Sequence, residues 1–369
     1  MKLTAQVKLV VTPEQADALR ETLARANDAC NAISEWAWEH KTFGQFAIHK
    51  GIYHQIRERF DLAAQMVVRC IAKVADAYKL DKRTIRTFQP TGAIAYDDRI
   101  LRWQVTKGRV FLWTVKGRLT LPFVCGEQQR ALLQTQQGET DLCCLDGSVW
   151  FLNATCTVEE PPPADTGGGF LGIDLGIVHL ATDSEGRQYS GEAVRSLRRR
   201  LHRLRRLRAG LQTCGSKSAK RHLCRLRRRQ SRFTRWVNHN ISRRLVEAAL
   251  SSRKALVLED LKGIRERANG FGREMRFELG SWAFDQLRQF VAYKAGQAGI
   301  PVIYIDPRNT SRTCCVCGYC DKANRKTQDW FSCLSCGFAM NADRNAAVNI
   351  SKHGALVTRP RDGEQPMAA

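Results

Sequence analysis

The sequence predicts a multidomain α+β protein. An N-terminal β-barrel or sandwich carries a helical insertion and is followed by an α/β domain with a small zinc-binding module set into it. Three observations predict this. Residues 88–158 break into short β-branched and aromatic runs punctuated by Gly and Asp turns. The run Pro161-Pro162-Pro163-Ala164-Asp165-Thr166-Gly167-Gly168-Gly169 reads as a linker, stiff at its start and flexible at its end. Beyond it, KALVLEDL and IPVIYID are apolar runs suited to buried parallel strands, and two Cys-x2-Cys-Gly knuckles follow them.

In chain order, TAQVKLVV alternates apolar and polar residues and predicts a first strand within residues 1–12. Thr12-Pro13-Glu14-Gln15 then starts a helix: Thr12 caps it, Pro13 takes the first helical position where its missing N–H costs nothing, and Gln15 completes a capping box. Helical periodicity through Ala24, Cys30, Ile33 and Trp36, resuming over Ala63 to Tyr78, predicts a helical insertion over 13–80. RILRWQV, RVFLWTV, RLTLPFV, TDLCCLD and SVWFLNATCTV return the chain to the barrel over 81–160. After the linker at 161–169, the α/β domain covers 170–309 and 341–356, interrupted by the zinc module at 310–340, and 357–369 read as a disordered tail.

Length, at 369 residues, suits two to three domains, and 43% hydrophobic content suits chains that bury real cores. No apolar run approaches the roughly 18–20 residues that span a bilayer. The opening MKLTAQVKLVVTPEQ lacks a signal peptide's apolar core, so a soluble, intracellular protein is expected. Its net charge of +23 calls for a polyanion, nucleic acid before anionic membrane.

That charge is concentrated. Residues 195–235 hold 17 Lys and Arg and no acid, leaving +6 of the +23 for the rest of the chain. Leu197, Leu201, Leu204, Leu207 and Leu211 form one apolar seam, and Leu223, Leu226 and Phe233 a second beyond the Cys214-Gly215-Ser216 break. A helical hairpin within 195–249 is expected, packed by leucine with arginine outside. A merely solvated helix would mix charge signs to gain i,i+4 pairs. The expected nucleic-acid contacts are Arg198, Arg199, Arg200, Arg203, Arg205, Arg206, Arg221, Arg225, Arg227, Arg228 and Arg229, directed to phosphates rather than bases.

Fourteen cysteines in a reducing compartment point to metal binding or burial rather than disulfides. Cys314-x2-Cys317-Gly318 and Cys333-x2-Cys336-Gly337, fifteen residues apart, match a four-cysteine zinc site. Cys317-x2-Cys320 has knuckle spacing too, but only Cys314/Cys317 places its glycine as the second knuckle does. Four thiolates leave no open position, so this zinc is expected to be structural.

Three acids stand out in the second half. Asp174 ends the apolar run GID, Glu259 and Asp260 end LVLED, and Asp343 opens the helical run ADRNAAVNI after the knuckles. Strand alternation sends only one of Glu259 and Asp260 to a given face. Asp306, closing IPVIYID, is a competing acid. Acids on separate elements of an α/β domain resemble the cage of an RNase H-like nuclease, where two divalent ions roughly 3.5–4 Å apart serve phosphodiester cleavage. The alternative is three structural caps and turns.

The order GIDLG, basic insertion, VLEDLKGI, Trp282-Ala283-Phe284, Tyr293-Lys294-Ala295, Thr310-Ser311, CxxCG, Phe331-x-CxxCG, ADRNAAVNI resembles the transposon-associated TnpB proteins, relatives of type V CRISPR effectors. The specific motifs span 170–352; Asn27 to Asn31 and Tyr96-Asp97 to Trp103 agree more loosely. The resemblance implies a wedge-like barrel, a recognition insertion and a RuvC-like nuclease domain with an inserted zinc ribbon. It implies an RNA-guided endonuclease that binds a guide RNA from its own element, reads a short target-adjacent motif and cuts double-stranded DNA at a single site. Asp174, Glu259 and Asp343 would then be catalytic magnesium ligands in a two-metal site, Cys314, Cys317, Cys333 and Cys336 would hold zinc, and Asn345 would lie near the site and help position substrate without ligating. Partners would be guide RNA and target DNA, with no membrane, in a prokaryotic, nucleoid-associated cytoplasmic setting; base pairing would carry the specificity. Monomer and dimer both remain open. A guided binder that has lost cleavage, a strand-joining transposase and a compact CRISPR effector are the alternatives, and the presence of all three acids argues for cleavage.

Overall fold

The computed structural model describes residues 1–176, 179–189, 204, 206–261, 283–327 and 329–357. The chain divides into two compact units, Met1–Glu159 and Glu160–Ala369.

In the first unit, β1 (Lys2–Leu9) buries every second residue, Ala5, Val7 and Leu9. It lies between β7 (Val149–Thr157) and β5 (Gly117–Val124) in an antiparallel sheet of seven strands. The others are β2 (Ile94–Tyr96), β3 (Leu101–Gln104), β4 (Arg109–Thr114) and β6 (Gln136–Leu145). The Tyr96 hydroxyl, from the edge strand β2, donates to the Trp113 carbonyl on β4 at 3.1 Å, so the sheet curls into a nearly closed barrel. The insertion holds three helices, α1 (Pro13–Glu39), α2 (Gln45–Phe60) and α3 (Ala64–Leu80), with the Thr12–Gln15 capping box formed in both directions. Periodicity misses α2 because its buried stripe is only Ile48, Ile52 and Ile56, one residue per turn on an otherwise polar helix. A short helix, α4 (Glu127–Leu133), lies between the runs RLTLPFV and TDLCCLD.

The second unit is built on a four-stranded sheet in the order β11 (Val302–Ile305), β10 (Ala255–Glu259), β8 (Phe170–Asp174), β9 (Thr182–Asp183). The first three strands are parallel, as the short apolar runs of β10 and β11 predict for those two. One face packs Leu171, Ile173, Leu256 and Leu258 against α5 (Lys217–Ser252) and α6 (Phe284–Gln297), through Leu245, Ala249, Leu287 and Val291. The other face lies under α7 (Ala342–Val357), where Val257 meets Ile350. The linker's end is not slack: the Ala164 N–H donates to the Gly299 carbonyl at 2.8 Å and Gly168 to Arg253 at 3.0 Å.

Glycine sets how closely α7 approaches. A Cβ on Gly172 would fall 2.1 Å from the Ala347 carbonyl oxygen and 2.4 Å from the Ser351 nitrogen, both helix backbone that cannot move aside. Gly172→Ala is therefore expected to destabilise the second unit by about 1–3 kcal/mol or more, checked by denaturant unfolding. An unchanged midpoint would mean that the helix can lift without cost.

Candidate metal centres

Strand parity decides which acids meet. β8 and β10 run in register, Leu171 beside Leu256 and Ile173 beside Leu258. Leu171, Ile173, Leu256 and Leu258 face α5 and α6, so Gly172 and Asp174, and with them Val257 and Glu259, face α7. Asp174 and Glu259 thus stand side by side at the same ends of adjacent strands. Asp343 lies in the first turn of α7, near enough for its charge to act on Asp174. Burial pushes the Asp174 carboxyl well above the usual range, and the charges of Glu259 and then Asp343 push it further, with Arg325 opposing. Burial also raises Asp343, against the positive charge of Arg325 and His179. The charges of Glu259 and Asp343 disfavour ionisation of Asp174 unless a cation joins them, and the donor set is all oxygen, as hard divalent cations prefer.

The other acids are placed elsewhere. Asp260 pairs with Arg288 of α6 at 2.5 Å. Asp306 is exposed and pairs with Arg308 at 3.0 Å. Asp183, fully buried, accepts from the Tyr189 hydroxyl at 2.7 Å and from the backbone of Glu185 and Arg187, which closes the turn after β9. Arg325 has no signal in the sequence motifs, yet its guanidinium lies 3.4 Å from Asp343 Oδ1, carried there by the loop between the knuckles.

The knuckles repeat one another. Gly318 N donates to Cys314 O at 3.0 Å and Gly337 N to Cys333 O at 3.1 Å, with φ of 77° and 73° at the two glycines, the left-handed turn that glycine adopts without strain. All four sulfurs of Cys314, Cys317, Cys333 and Cys336 lie within 4.8 Å of one another. The Cys314–Cys336 and Cys317–Cys333 separations are 3.7 and 3.6 Å. A tetrahedron with zinc–sulfur bonds of about 2.3 Å has edges of about 3.8 Å, so the cluster could bind a structural zinc ion. The Cys336 N–H lowers the Cys333 thiol to about 7. Cys336 is pushed up to about 12, the Phe338 N–H that favours its thiolate being outweighed by the neighbouring thiols. Cys315 is buried outside the cluster, its Sγ 3.8 Å from Met340 Sδ, and Cys320 is exposed. Asn324, buried, ties the two knuckles by donating to Arg312 O and Tyr319 O and accepting from Leu334 N.

Asn345 is spent on the fold. Its amide donates to Thr313 O at 2.9 Å and accepts from Cys315 N at 3.0 Å, which staples the first knuckle to α7. Asn349, one turn on, donates to Thr310 O and Thr313 O at 2.8 and 2.7 Å.

Of the basic hairpin, residues 206–214 are helical, Gly215 turns at a φ of 63°, and Ser216 caps α5. Arg206, Arg221, Arg225, Arg227, Arg228 and Arg229 are exposed, whereas Arg198, Arg199, Arg200, Arg203 and Arg205 lie outside the described residues. The leucine seam is looser than its spacing predicts: Leu207 is 43% exposed, and Leu211, Leu223 and Leu226 are half-buried.

A family model described as probable transposase matches residues 153–262, and one for a Cas12f1-like TNB domain matches 284–350. A TnpB-like protein of Methanocaldococcus jannaschii is 33% identical over 129 residues, 35% of this chain and 46% of that protein. Over part of its length the chain is similar to TnpB-like proteins. A CRISPR-associated endodeoxyribonuclease, Cas12f1 of Sulfoacidibacillus thermotolerans, is 33% identical over 216 residues, 55% of this chain and 50% of the relative. The chain therefore spans about half the length of the curated relatives it matches. It shares its fold with a chain of a Cas12f1–sgRNA–target DNA complex, at a TM-score of 0.65 and 17% identity over 93% of this chain and 83% of the other.

Proposed function

We propose that the chain is an RNA-guided DNA endonuclease. It binds a transposon-derived guide RNA, recognises a short target-adjacent motif and hydrolyses both strands of target DNA in one RuvC-like site formed by Asp174, Glu259 and Asp343. The register of β8 and β10 carries this reading, since it sets Asp174 beside Glu259 on the face that α7 covers with Asp343. Magnesium at this site, when bound, supplies Lewis-acid stabilisation of the attacking and leaving oxygens. The chain's own contributions are three oriented carboxylates, Arg325 as a cationic donor beside Asp343, and a ribbon that holds Arg325 in place. Zinc bound by Cys314, Cys317, Cys333 and Cys336 would be structural. Similarity to the CRISPR-associated endodeoxyribonuclease Cas12f1 supports this chemistry.

The deciding experiment is to purify the protein natively and sequence the RNA that accompanies it. A discrete transcript ending in a variable segment is expected, and random RNA would overturn the guided reading. A conserved end from the neighbouring element marks a transposon guide, whereas a repeat-derived end marks a CRISPR effector.

Replacing Arg221, Arg225, Arg227, Arg228 and Arg229 together with Gln is expected to weaken nucleic-acid binding and flatten its salt dependence. For every phosphate the variant no longer neutralises, the slope of log affinity against log salt on B-form DNA falls by about 0.9. An unaltered slope would assign the hairpin a structural role.

A further inference from the structure

Thr310, 3% exposed, lies just ahead of the first knuckle, and its Oγ1 donates to Glu259 Oε1 at 2.6 Å. The Pro307 carbonyl is 3.1 Å from the same hydroxyl. One hydroxyl proton serves one strong acceptor at a time, and an ionised carboxylate is the stronger of the two. Thr310 is itself held: Asn349 of α7, 4% exposed, donates to its carbonyl at 2.8 Å. The helix that carries Asp343 therefore also grips the residue that grips Glu259.

We propose that Thr310 is a positioning residue for the acid site, orienting the Glu259 carboxylate toward a divalent cation, with Asn349 as the anchor that relays the position of α7. The inference rests on the reading of Asp174, Glu259 and Asp343 as a cation cage. A hydroxyl that orients a ligating carboxylate acts from outside the ligand set, and loss of such a partner typically costs 10- to 100-fold in metal affinity or activity. The competing role is local, with the hydroxyl only closing the turn at Pro307.

The test is Mn2+ binding to the full chain with its co-purified RNA and without target DNA, followed by electron paramagnetic resonance. Thr310→Val, similar in shape but without the hydroxyl, is expected to weaken Mn2+ binding by about 10-fold or more. Thr310→Ala is expected to do the same, and Thr310→Ser to restore near wild-type affinity. Zinc content and RNA recovery should not change in any of the three. Asn349→Ala should weaken Mn2+ binding in the same direction, and adding Thr310→Val to it should cost less than the two singly. Wild-type Mn2+ affinity in both Thr310→Val and Thr310→Ala would overturn the proposal, as would Thr310→Ser binding as weakly as Val. Asp174→Asn separates the two levels: if it leaves Mn2+ affinity intact, the cage reading itself fails, whatever Thr310 does.

Discussion

Asp174→Asn will yield a protein that keeps its RNA and its target binding and does not cut. The change is isosteric and removes one of the three carboxylates of the proposed cation site, where metal-borne charge stabilisation would amount to several kcal/mol. At 1.36 kcal/mol per tenfold, the loss in cleavage rate is about 10²- to 10³-fold or greater. The same substitution should stabilise the metal-free protein. The Asp174 carboxyl is pushed up by burial, Glu259 and Asp343, so ionising it at neutral pH opposes folding, and a neutral amide relieves that cost. Thermal unfolding in chelator should rise by about 2–4 °C for each kcal/mol relieved. Wild-type cutting would remove Asp174 from the site. A lower unfolding temperature in chelator would show that the carboxylate is structurally satisfied rather than strained.

Cys333→Ser is expected to have the second largest effect, and by a different route. It removes one of four thiols within 4.8 Å and leaves three that cannot close the tetrahedron. Zinc sites of this kind supply about 10–16 kcal/mol to small domains, so its loss should unfold the ribbon outright. The consequences reach the acids, because the loop between the knuckles carries Arg325 to Asp343 and the segment leading into them carries Thr310 to Glu259. Cleavage should fail, amide exchange over 310–341 should lose protection, and RNA should still co-purify. Metal analysis should give one zinc in the wild type and none in Cys333→Ser, with one retained in Cys315→Ser and Cys320→Ser. Full zinc in Cys333→Ser, or loss in Cys320→Ser, would overturn the ligand set.

Much of the fold is local in origin and so legible in the chain. Capping at Thr12, alternation in β1 and the apolar runs of β10 and β11 each depend on a few neighbouring residues. The zinc knuckles are local too, since each pair of thiols is set by one glycine turn. What escaped were elements whose signal is thin, such as α2 with a single isoleucine per turn, and roles that depend on distant partners. Asn345 carries the look of a site residue and is spent on Thr313 and Cys315. Arg325 has no motif and reaches Asp343.

Read alone, the sequence settles that three acids, four paired cysteines and a concentrated run of arginine coexist in one α/β half. It also narrows Glu259 and Asp260 to one per face, because strand alternation is a property of the backbone. Which of the two joins Asp174 is a tertiary decision. It depends on the face that α7 covers, and on Gly172 letting that helix lie against the sheet with Asp343 at its foot. Parity then sends Glu259 toward Asp174 and leaves Asp260 to Arg288, since two neighbouring side chains on a strand cannot share a face.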